Sequence, residues 1–391
     1  MNPEPFSIQV SEEALADLKE RLRRTRLPDE VAGSAWGYGT SLSYMRELLD
    51  YWRTSFDWRA QERALNKFAH FKAVVGGLTL HFIHQRGTGP RPLPLLLLHG
   101  WPDTFYEFHK VISPLSDPAA GGGDPGDAFD VVVPSLPGYG FSEKPAEQGW
   151  DPTRMAEVLA DLMTDVLGYH RFGVHGGDWG AVIGTRMAHV RKERMIGLHI
   201  HMMGSQPRLG ADSAPFSPAE QEWLTRAQAA RGLLREETGY QAIQGTRPQT
   251  IAYAINDSPC GQAAWIVEKY RAWSDCHGDL ESRFSKDELL TNIMLYWLTE
   301  TANSASRLYY ETFHPSRPAF VGERVEVPTG VASYPGGMGT ITEPREWVER
   351  AYNVQRYTRM DEGGHFPALE VPASLIADLR AFFRPLRGAS G

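Results

Sequence analysis

Short runs of consecutive apolar residues alternate with helical stretches through the middle of the chain. Residues 95–98, 129–133, 171–174 and 195–202 read as strands that are apolar on both faces, and residues 152–167 read as one of the helices between them. Strands of this kind, separated by helices, are typical of a parallel sheet that helices cover on both sides. The pattern therefore predicts an α/β fold with a mostly parallel sheet.

The alternation stops after residue 204 and resumes near residue 325. Residues 205–315 show helical patterns and many Trp and Tyr, without a strand-like run. An insertion between two strands of a parallel sheet lies above their carboxyl ends, where ligands bind. We therefore interpret residues 205–315 as a helical lid on a core formed by residues 71–204 and 316–391. Residues 1–70, in which Ser11 can cap a first helix, form an N-terminal helical segment.

Composition and charge limit the binding partners and the cellular compartment that we expect for the protein. The net charge is −8 and the basic residues are interleaved with acids, which argues against nucleic acid. Cys260 and Cys276 fit neither a metal site nor a disulfide framework, so a reduced compartment is the simpler interpretation. No signal peptide is visible, and no apolar run approaches the roughly 20 residues of a membrane helix. We expect a cytoplasmic protein without a membrane partner, and a homodimer is one open assembly.

The segment 176–180 reads Gly-Gly-Asp-Trp-Gly and lies between a predicted strand and a predicted helix. It has the spacing of the Gly-x-Ser-x-Gly nucleophile elbow, in which small residues let strand and helix approach and the central side chain points away from the sheet. An Asp that merely caps a helix would be ordinary on its own. The strand, the glycines and the helix together favour Asp178 as a nucleophile.

A carboxylate nucleophile changes the chemistry that the elbow can perform. Attack on an acyl carbon would give a labile anhydride, whereas displacement at an sp³ carbon gives an alkyl ester that water can hydrolyse. Epoxides and alkyl halides are substrates that fit. This route needs neither a metal nor a cofactor.

A base and an oxyanion site can be assigned from their positions after predicted strands. His365 lies in a Gly-flanked loop after the last strand, and neutral imidazole can activate water there. His199 and His201 lie inside a strand and read as structural. The His-Gly-Trp-Pro turn at residues 99–102 follows an early strand, so we assign the oxyanion donors to the backbone amides of Trp101 and Trp179.

At these residues the sequence resembles the microsomal-type epoxide hydrolases over nearly its whole length. This resemblance implies an α/β-hydrolase fold whose N-terminal segment, residues 1–70, wraps around the core. The matching segments, in chain order, are residues 5–8, 26–29, 99–102, 137–142, 177–180, 256–259, 328–330 and 363–366. Together they are a far more specific signal than the elbow alone.

The resemblance also implies two lid tyrosines that activate the epoxide oxygen. Tyr240 matches the first and Tyr309 the second, with the adjacent Tyr310 as an alternative. A phenol can donate a hydrogen bond to the alkoxide that forms as the ring opens. Most tyrosines of a protein simply pack with their hydroxyl bonded, so neither assignment would stand without the match.

The acid of the expected catalytic triad is where the sequence departs from the family pattern. A triad needs a carboxylate that orients the histidine, and the family places it near the position of Gly337. Glu343, further along the same loop, is the substitute that we assign. Glu346, Asp361 and Glu362 are weaker candidates.

The sequence thus predicts an epoxide hydrolase that converts a small apolar epoxide to a vicinal diol. A haloalkane dehalogenase would share the Asp nucleophile but would not need the tyrosine pair. A decayed hydrolase that acts as a binding protein is the third alternative, which the missing acid would explain.

Overall fold

A single sheet organises the computed structural model, which describes residues 2–316, 320, 322–337 and 342–389. Its strands are β1 (Glu4–Pro5), β2 (His70–Val75), β3 (Leu78–Gln85), β4 (Leu93–Leu98), β5 (Phe129–Pro134), β6 (Phe172–Gly176), β7 (Met195–Ile200), β8 (Val325–Ser333) and β9 (Tyr352–Arg359). Within the described residues these nine strands lie in the order β1-β2-β3-β5-β4-β6-β7-β8-β9.

The sheet is parallel over most of its width. Strands β5, β4, β6, β7, β8 and β9 are parallel neighbours, whereas β1, β2 and β3 form an antiparallel edge that joins the rest through β5. The mostly parallel sheet predicted from the apolar runs is therefore confirmed. Strand β1 was not predicted, because two exposed residues carry no apolar pattern.

Helices cover both the sheet and its carboxyl edge. Between β1 and β7 in the chain lie α1 (Glu12–Arg23), α2 (Leu42–Thr54), α3 (Trp58–Leu65), α4 (Ile112–Ser116), α5 (Pro152–Asp161) and α6 (Asp178–Val190). Between β7 and β8 lie α7 (Pro218–Ala229), α8 (Arg231–Glu237), α9 (Gly239–Gln244), α10 (Pro248–Ile255), α11 (Pro259–Trp273), α12 (Lys286–Thr299) and α13 (Ala302–Phe313). The remaining helices are α14 (Arg345–Ala351), α15 (Pro367–Glu370) and α16 (Pro372–Phe383).

Side-chain hydrogen bonds attach the extended residues 8–10 to the end of helix α3. The Asn66 side chain accepts from the backbone N–H of Ile8 and donates to its carbonyl, each at 2.9 Å. The Glu62 carboxylate accepts from the N–H of Val10 at 2.7 Å. Because an extended segment has no partner strand for these backbone groups, side chains must satisfy them.

The centre of the sheet is fully buried. Residues Leu95 to Leu98 of β4 and Val131 to Val133 of β5 have no exposed surface. Helix α6 lies directly against β4, because a Cβ on Gly180 would be only 1.9 Å from the carbonyl oxygen of Leu98. Strand β4 and helix α6 are thereby held closer than any side chain at position 180 would allow.

None of the helices in the described ranges combines the length and the apolar character needed to cross a bilayer.

We expect Gly180→Ala to destabilise the protein by about 1–3 kcal/mol or more, since the new methyl group meets backbone that cannot move aside. Gly232, in helix α8, is the matched control, because a Cβ there meets no atom within 4 Å. Gly232→Ala should raise stability by about 0.5–1 kcal/mol, as an exposed helical Gly→Ala change does. Urea unfolding midpoints measure both, and a Gly180→Ala protein as stable as the parent would contradict the close approach.

Candidate active site

The turn between β6 and α6 holds Asp178 in a strained backbone conformation. Its φ is +46°, in the left-handed region that a side chain other than Gly rarely adopts. The turn is tight because a Cβ on Gly176 would be 2.4 Å from the carbonyl carbon of Gly180. Such outliers cluster at active sites, where the surrounding structure compensates their cost of about 1–3 kcal/mol.

The carboxylate of Asp178 points at the turn that follows β4. Its Oδ1 accepts a hydrogen bond from the backbone N–H of Trp101 at 2.9 Å. A Cβ on Gly100 would be 2.3 Å from that same oxygen, so only glycine fits at position 100. Trp179 is the second residue of α6, and its N–H belongs to the first helical turn, where N–H groups have no partner within the helix. Of the two amides predicted as oxyanion donors, that of Trp101 therefore contacts the Asp178 carboxylate, and that of Trp179 directly follows Asp178 in the chain.

His365 faces the other oxygen of the same carboxylate. Its Nε2 lies 3.6 Å from Oδ2 of Asp178, and its backbone N–H donates to the carbonyl of Trp273 at 2.9 Å. The Trp273 ring packs on the imidazole, with 4.9 Å between the ring centroids. The structure thus brings the predicted nucleophile and base together, and it places a residue of the lid segment (residues 205–315) against the base.

Tyr240 and Tyr309 lie over the nucleophile. The Tyr240 ring stacks on Trp101 with centroids 4.8 Å apart, and the Tyr309 ring meets Tyr240 edge-on at 5.7 Å. The Tyr240 hydroxyl accepts from the Gln241 amide at 2.9 Å, which leaves its own proton free to donate. The buried Tyr309 hydroxyl has no hydrogen-bond partner in the described part of the chain. Both phenols are therefore available as donors.

The neighbouring Tyr310 lies elsewhere. Its ring stacks on His314 of its own helical turn, with centroids 4.2 Å apart, whereas Tyr309 lines the cavity above Asp178. Sequence alone left these two adjacent tyrosines open, because a shift of one residue on a helix changes only the direction of the side chain.

A cavity of about 470 Å³ joins these groups. Asp178, His365, Tyr240 and Tyr309 line it, and the rest of its wall is mostly apolar. The apolar lining includes Val182, Met202, Met203, Trp223, Ala227, Leu234 and Trp273. A volume of this size suits a small ligand.

The structure does not bring Glu343 to the base. The Glu343 side chain lines the same cavity, and burial raises the pKa of its carboxyl group. Within the described ranges, Asp178 is nonetheless the sole acid whose carboxylate comes within 4.0 Å of the His365 ring. Glu346, Asp361 and Glu362, the weaker candidates, are exposed. None of the four acids proposed from the sequence to orient His365 therefore contacts its ring.

His201 is closer to the site than its interpretation as a structural residue suggested. Its ring lies on the elbow, because a Cβ on Gly177 would be 1.9 Å from the imidazole. Its Nε2 lies 3.2 Å from the backbone oxygen of His365, and it lines the cavity. The signal available in the sequence was its position at the carboxyl end of β7, the edge at which ligands bind.

Two further buried acids, Asp103 and Glu107, lie near enough to the nucleophile to interact with its charge. Asp103 accepts a hydrogen bond from the Tyr270 hydroxyl, and burial raises the pKa of its carboxyl group to about 7. Burial also raises the pKa of Glu107 well above its ordinary value, and the charges of Asp103 and Asp178 add to that effect. No sequence motif marks either residue, because only the tertiary structure shows that their carboxyl groups are buried.

Two family models match the chain. The model of the epoxide hydrolase N terminus matches residues 3–108, and the model of the alpha/beta hydrolase fold matches residues 94–252. Epoxide hydrolase 1 of Sus scrofa is 39% identical over 404 aligned residues, which cover 97% of this chain and 88% of that protein.

Solved structures of two epoxide hydrolases are similar over the whole fold. The crystal structure of juvenile hormone epoxide hydrolase from the silkworm Bombyx mori has a TM-score of 0.83 at 30% identity, covering 100% of this chain and 95% of that one. The structure of Aspergillus niger epoxide hydrolase has a TM-score of 0.84 at 30% identity, covering 99% and 97%.

We expect Tyr240 and Tyr309 to stay protonated in the folded protein where free tyrosine ionises. Burial raises the pKa of both phenols, and the Asp178 charge adds to the shift. At about pH 10.5, the Tyr240→Phe/Tyr309→Phe double variant should therefore show the same near-ultraviolet tyrosinate absorbance as the folded parent. The two proteins unfolded in guanidinium are the control, where the variant should lack two tyrosinates. A deficit already present in the folded state would contradict the burial.

Proposed function

The chain belongs to the epoxide hydrolase family of the α/β-hydrolase fold, and on that premise we propose that it converts an epoxide to a vicinal diol in two covalent steps. The observation that carries the proposal is one cavity in which a strained carboxylate, an imidazole and two phenols with free hydroxyl protons meet. Each group has the chemistry that one step of epoxide opening requires.

In the first step Asp178 attacks a carbon of the epoxide. Oδ1 is held by the Trp101 amide, so Oδ2 is the oxygen that remains free to attack. An ester bond forms between Oδ2 and the carbon as the ring carbon–oxygen bond breaks. The ring oxygen takes up the negative charge, and Tyr240 and Tyr309 stabilise and protonate it.

In the second step water hydrolyses the ester. His365 takes a proton from water, and the resulting hydroxide attacks Cγ of Asp178. The oxyanion that forms is Oδ1, which already accepts from the Trp101 amide and which we assign to the Trp179 amide as well. As the tetrahedral intermediate collapses, the imidazolium gives its proton to the departing diol oxygen. The proton of the new carboxylic acid returns to the tyrosine that protonated the ring oxygen, which leaves the diol and the free carboxylate.

The lid segment covers this chemistry. We propose that residues 205–315 form a functional lid, that residues 71–204 and 316–391 form the catalytic core, and that residues 1–70 wrap around it. Tyr240, Tyr309 and much of the apolar cavity wall come from the lid segment. An apolar epoxide fits such a wall, because burying apolar substrate surface there is favourable while the reacting atoms keep polar partners.

We expect Asp178→Asn to lower kcat by at least about 10⁴-fold, because the nucleophile is lost. His365→Gln should instead form the ester and fail to hydrolyse it. Intact-protein mass spectrometry of His365→Gln, incubated with an epoxide that the parent turns over, should then show added mass equal to one epoxide.

The double variant Asp178→Asn/His365→Gln is the control for that adduct and should show no added mass. An adduct that persists in the double variant, or none in His365→Gln, would disprove the covalent role of Asp178. Absence of diol from any epoxide with the parent protein would favour the binding-protein alternative.

Removing either phenol should slow ester formation more than ester hydrolysis, since the developing alkoxide exists only in the first step. Tyr240→Phe and Tyr309→Phe should each lower the single-turnover rate of ester formation by about 10²-fold or more, the range for one general acid. Tyr310→Phe is the matched control, because Tyr310 stacks on His314 outside the cavity. Equal loss in Tyr310→Phe and Tyr309→Phe would overturn the assignment.

One observation favours the second candidate, a haloalkane dehalogenase. The indole Nε1 of Trp179 is buried without a hydrogen-bond partner in the described residues, and the Trp179 side chain lines the cavity. A free N–H beside the nucleophile can donate a hydrogen bond to a departing halide. Halide release from a haloalkane panel, together with no diol from epoxides, would select this function.

A further inference from the structure

Among the described residues, no acid other than Asp178 contacts the His365 ring in the way that orients the histidine of a catalytic triad. In a triad a carboxylate binds the imidazole, sets its orientation and stabilises the imidazolium. Here the acid near His365 is the nucleophile itself, at 3.6 Å. The nucleophile is esterified when the base must act, so another group has to perform both tasks.

The lid segment occupies the place where a triad acid would stand. Gly337 has a φ of +59°, and a Cβ there would be 2.1 Å from the carbonyl oxygen of Trp273. That same carbonyl accepts the backbone N–H of His365 at 2.9 Å. The contact that holds the base loop therefore leaves no space for a side chain at position 337, where this sequence has glycine in place of the acid.

A set of hydrogen bonds joins the base loop (residues 361–366) to the end of α11 and the residues after it. Besides the bond from His365 to Trp273, the N–H of Gly363 donates to Oδ2 of Asp275 at 3.0 Å. Arg283 binds Asp275 at 2.9 Å and Glu362 at 3.2 Å, so it links the two segments a second time.

Glu370 is the residue that joins both segments through one carboxylate. Its Oε1 accepts the backbone N–H of Phe366, next to the base, at 2.9 Å. Its Oε2 accepts the backbone N–H of Asp275, from the lid segment, at 2.7 Å. The side chain is buried at 9% exposure, one turn of helix beyond His365. Two N–H donors, one to each oxygen, match an ionised carboxylate, which accepts only.

We propose that Glu370 is the positioning residue of the general base: its carboxylate holds the His365 loop against the lid segment and supplies the negative charge that stabilises the imidazolium. This inference rests on the proposed function, in which His365 activates water. Glu370, on helix α15 after the histidine, thus performs the task that a triad gives to an acid in direct contact with the imidazole.

Groups around Glu370 act on its charge in both directions, and the effect of burial is the largest. Burial raises the pKa of the Glu370 carboxyl group, while the N–H donors of Asp275 and Phe366 and the charges of His365 and Arg283 act in the opposite direction. Other charged or titratable groups surround the pair from every neighbouring element. They are Asp178 of α6, Asp103 after β4, Lys110, His201 after β7, Tyr334 after β8, and Asp275 and Arg283 of the lid segment.

The test separates the two chemical steps in Glu370→Gln. In single-turnover experiments with an epoxide that the parent hydrolyses, ester formation should stay within about 3-fold of the parent. Ester hydrolysis should fall by about 10- to 100-fold, the range found when the outer partner of a functional histidine is removed. In the pH–rate profile of ester hydrolysis, the limb on the acid side should also move to lower pH, because the imidazolium loses its nearby anion.

Glu62→Gln is the matched control. Glu62 is also buried at 9% exposure and also accepts a backbone N–H, that of Val10, but it lies on helix α3 of the N-terminal segment. It should lose stability as any buried acceptor does, and both rate constants and the acid limb should stay at the parent values. The comparison distinguishes a positioning role from a general loss of stability.

An unchanged rate of ester hydrolysis, or an acid limb that does not move, overturns the proposal for Glu370. If Glu370→Gln does not fold, Glu370→Asp keeps the charge and shortens the reach. For Glu370→Asp, slower ester hydrolysis whose pH–rate profile keeps its acid limb at the parent pH supports the proposal. An unchanged rate of ester hydrolysis overturns it. No ester in the parent protein would instead disprove the two-step function itself, which the mass of the trapped His365→Gln ester reports independently.

Discussion

The close approach of helix α6 to strands β4 and β6 is the constraint on which the site depends. Two glycines make it possible, since a Cβ at position 176 or 180 would lie 2.4 Å or 1.9 Å from backbone atoms. With strand and helix this close, the residue between them must turn through a left-handed conformation, and its side chain is pushed above the sheet. The strain at Asp178 is therefore set by the packing of backbone on backbone, and the Trp101 amide helps to hold the carboxylate that results.

The same principle operates at the junction of the lid segment and the base loop. The carbonyl of Trp273 binds the N–H of His365 and leaves no space for a side chain at Gly337. A segment that supplies the cavity wall thus also holds the base. Polar backbone groups that are buried at such a junction need partners, and Glu370 and Asp275 provide them. The absence of an acid at one position and the presence of a buried acid at another are consequences of one arrangement.

Much of the fold was predictable because its signals are local. Fully apolar runs separated by helical stretches required a parallel sheet, and β4 to β7 lie where those runs stand. Ser11 caps α1 by accepting from the N–H of Ala14, as its position before two acids indicated. Strand β1 and helix α14 escaped prediction, since two exposed residues and seven residues next to a Gly-rich loop give little periodic signal.

The sequence by itself indicated candidates for the nucleophile, the base and the oxyanion turn, because each lies in a motif that follows a predicted strand, whereas the tyrosine pair came from the resemblance to the family. Only the tertiary structure decided which of Tyr309 and Tyr310 faces the cavity, that Glu343 stands apart from the base, and that His201 and Glu370 lie beside it. These outcomes depend on contacts between segments far apart in the chain. Such contacts follow from how the lid segment and the loops pack, which no short stretch of sequence encodes.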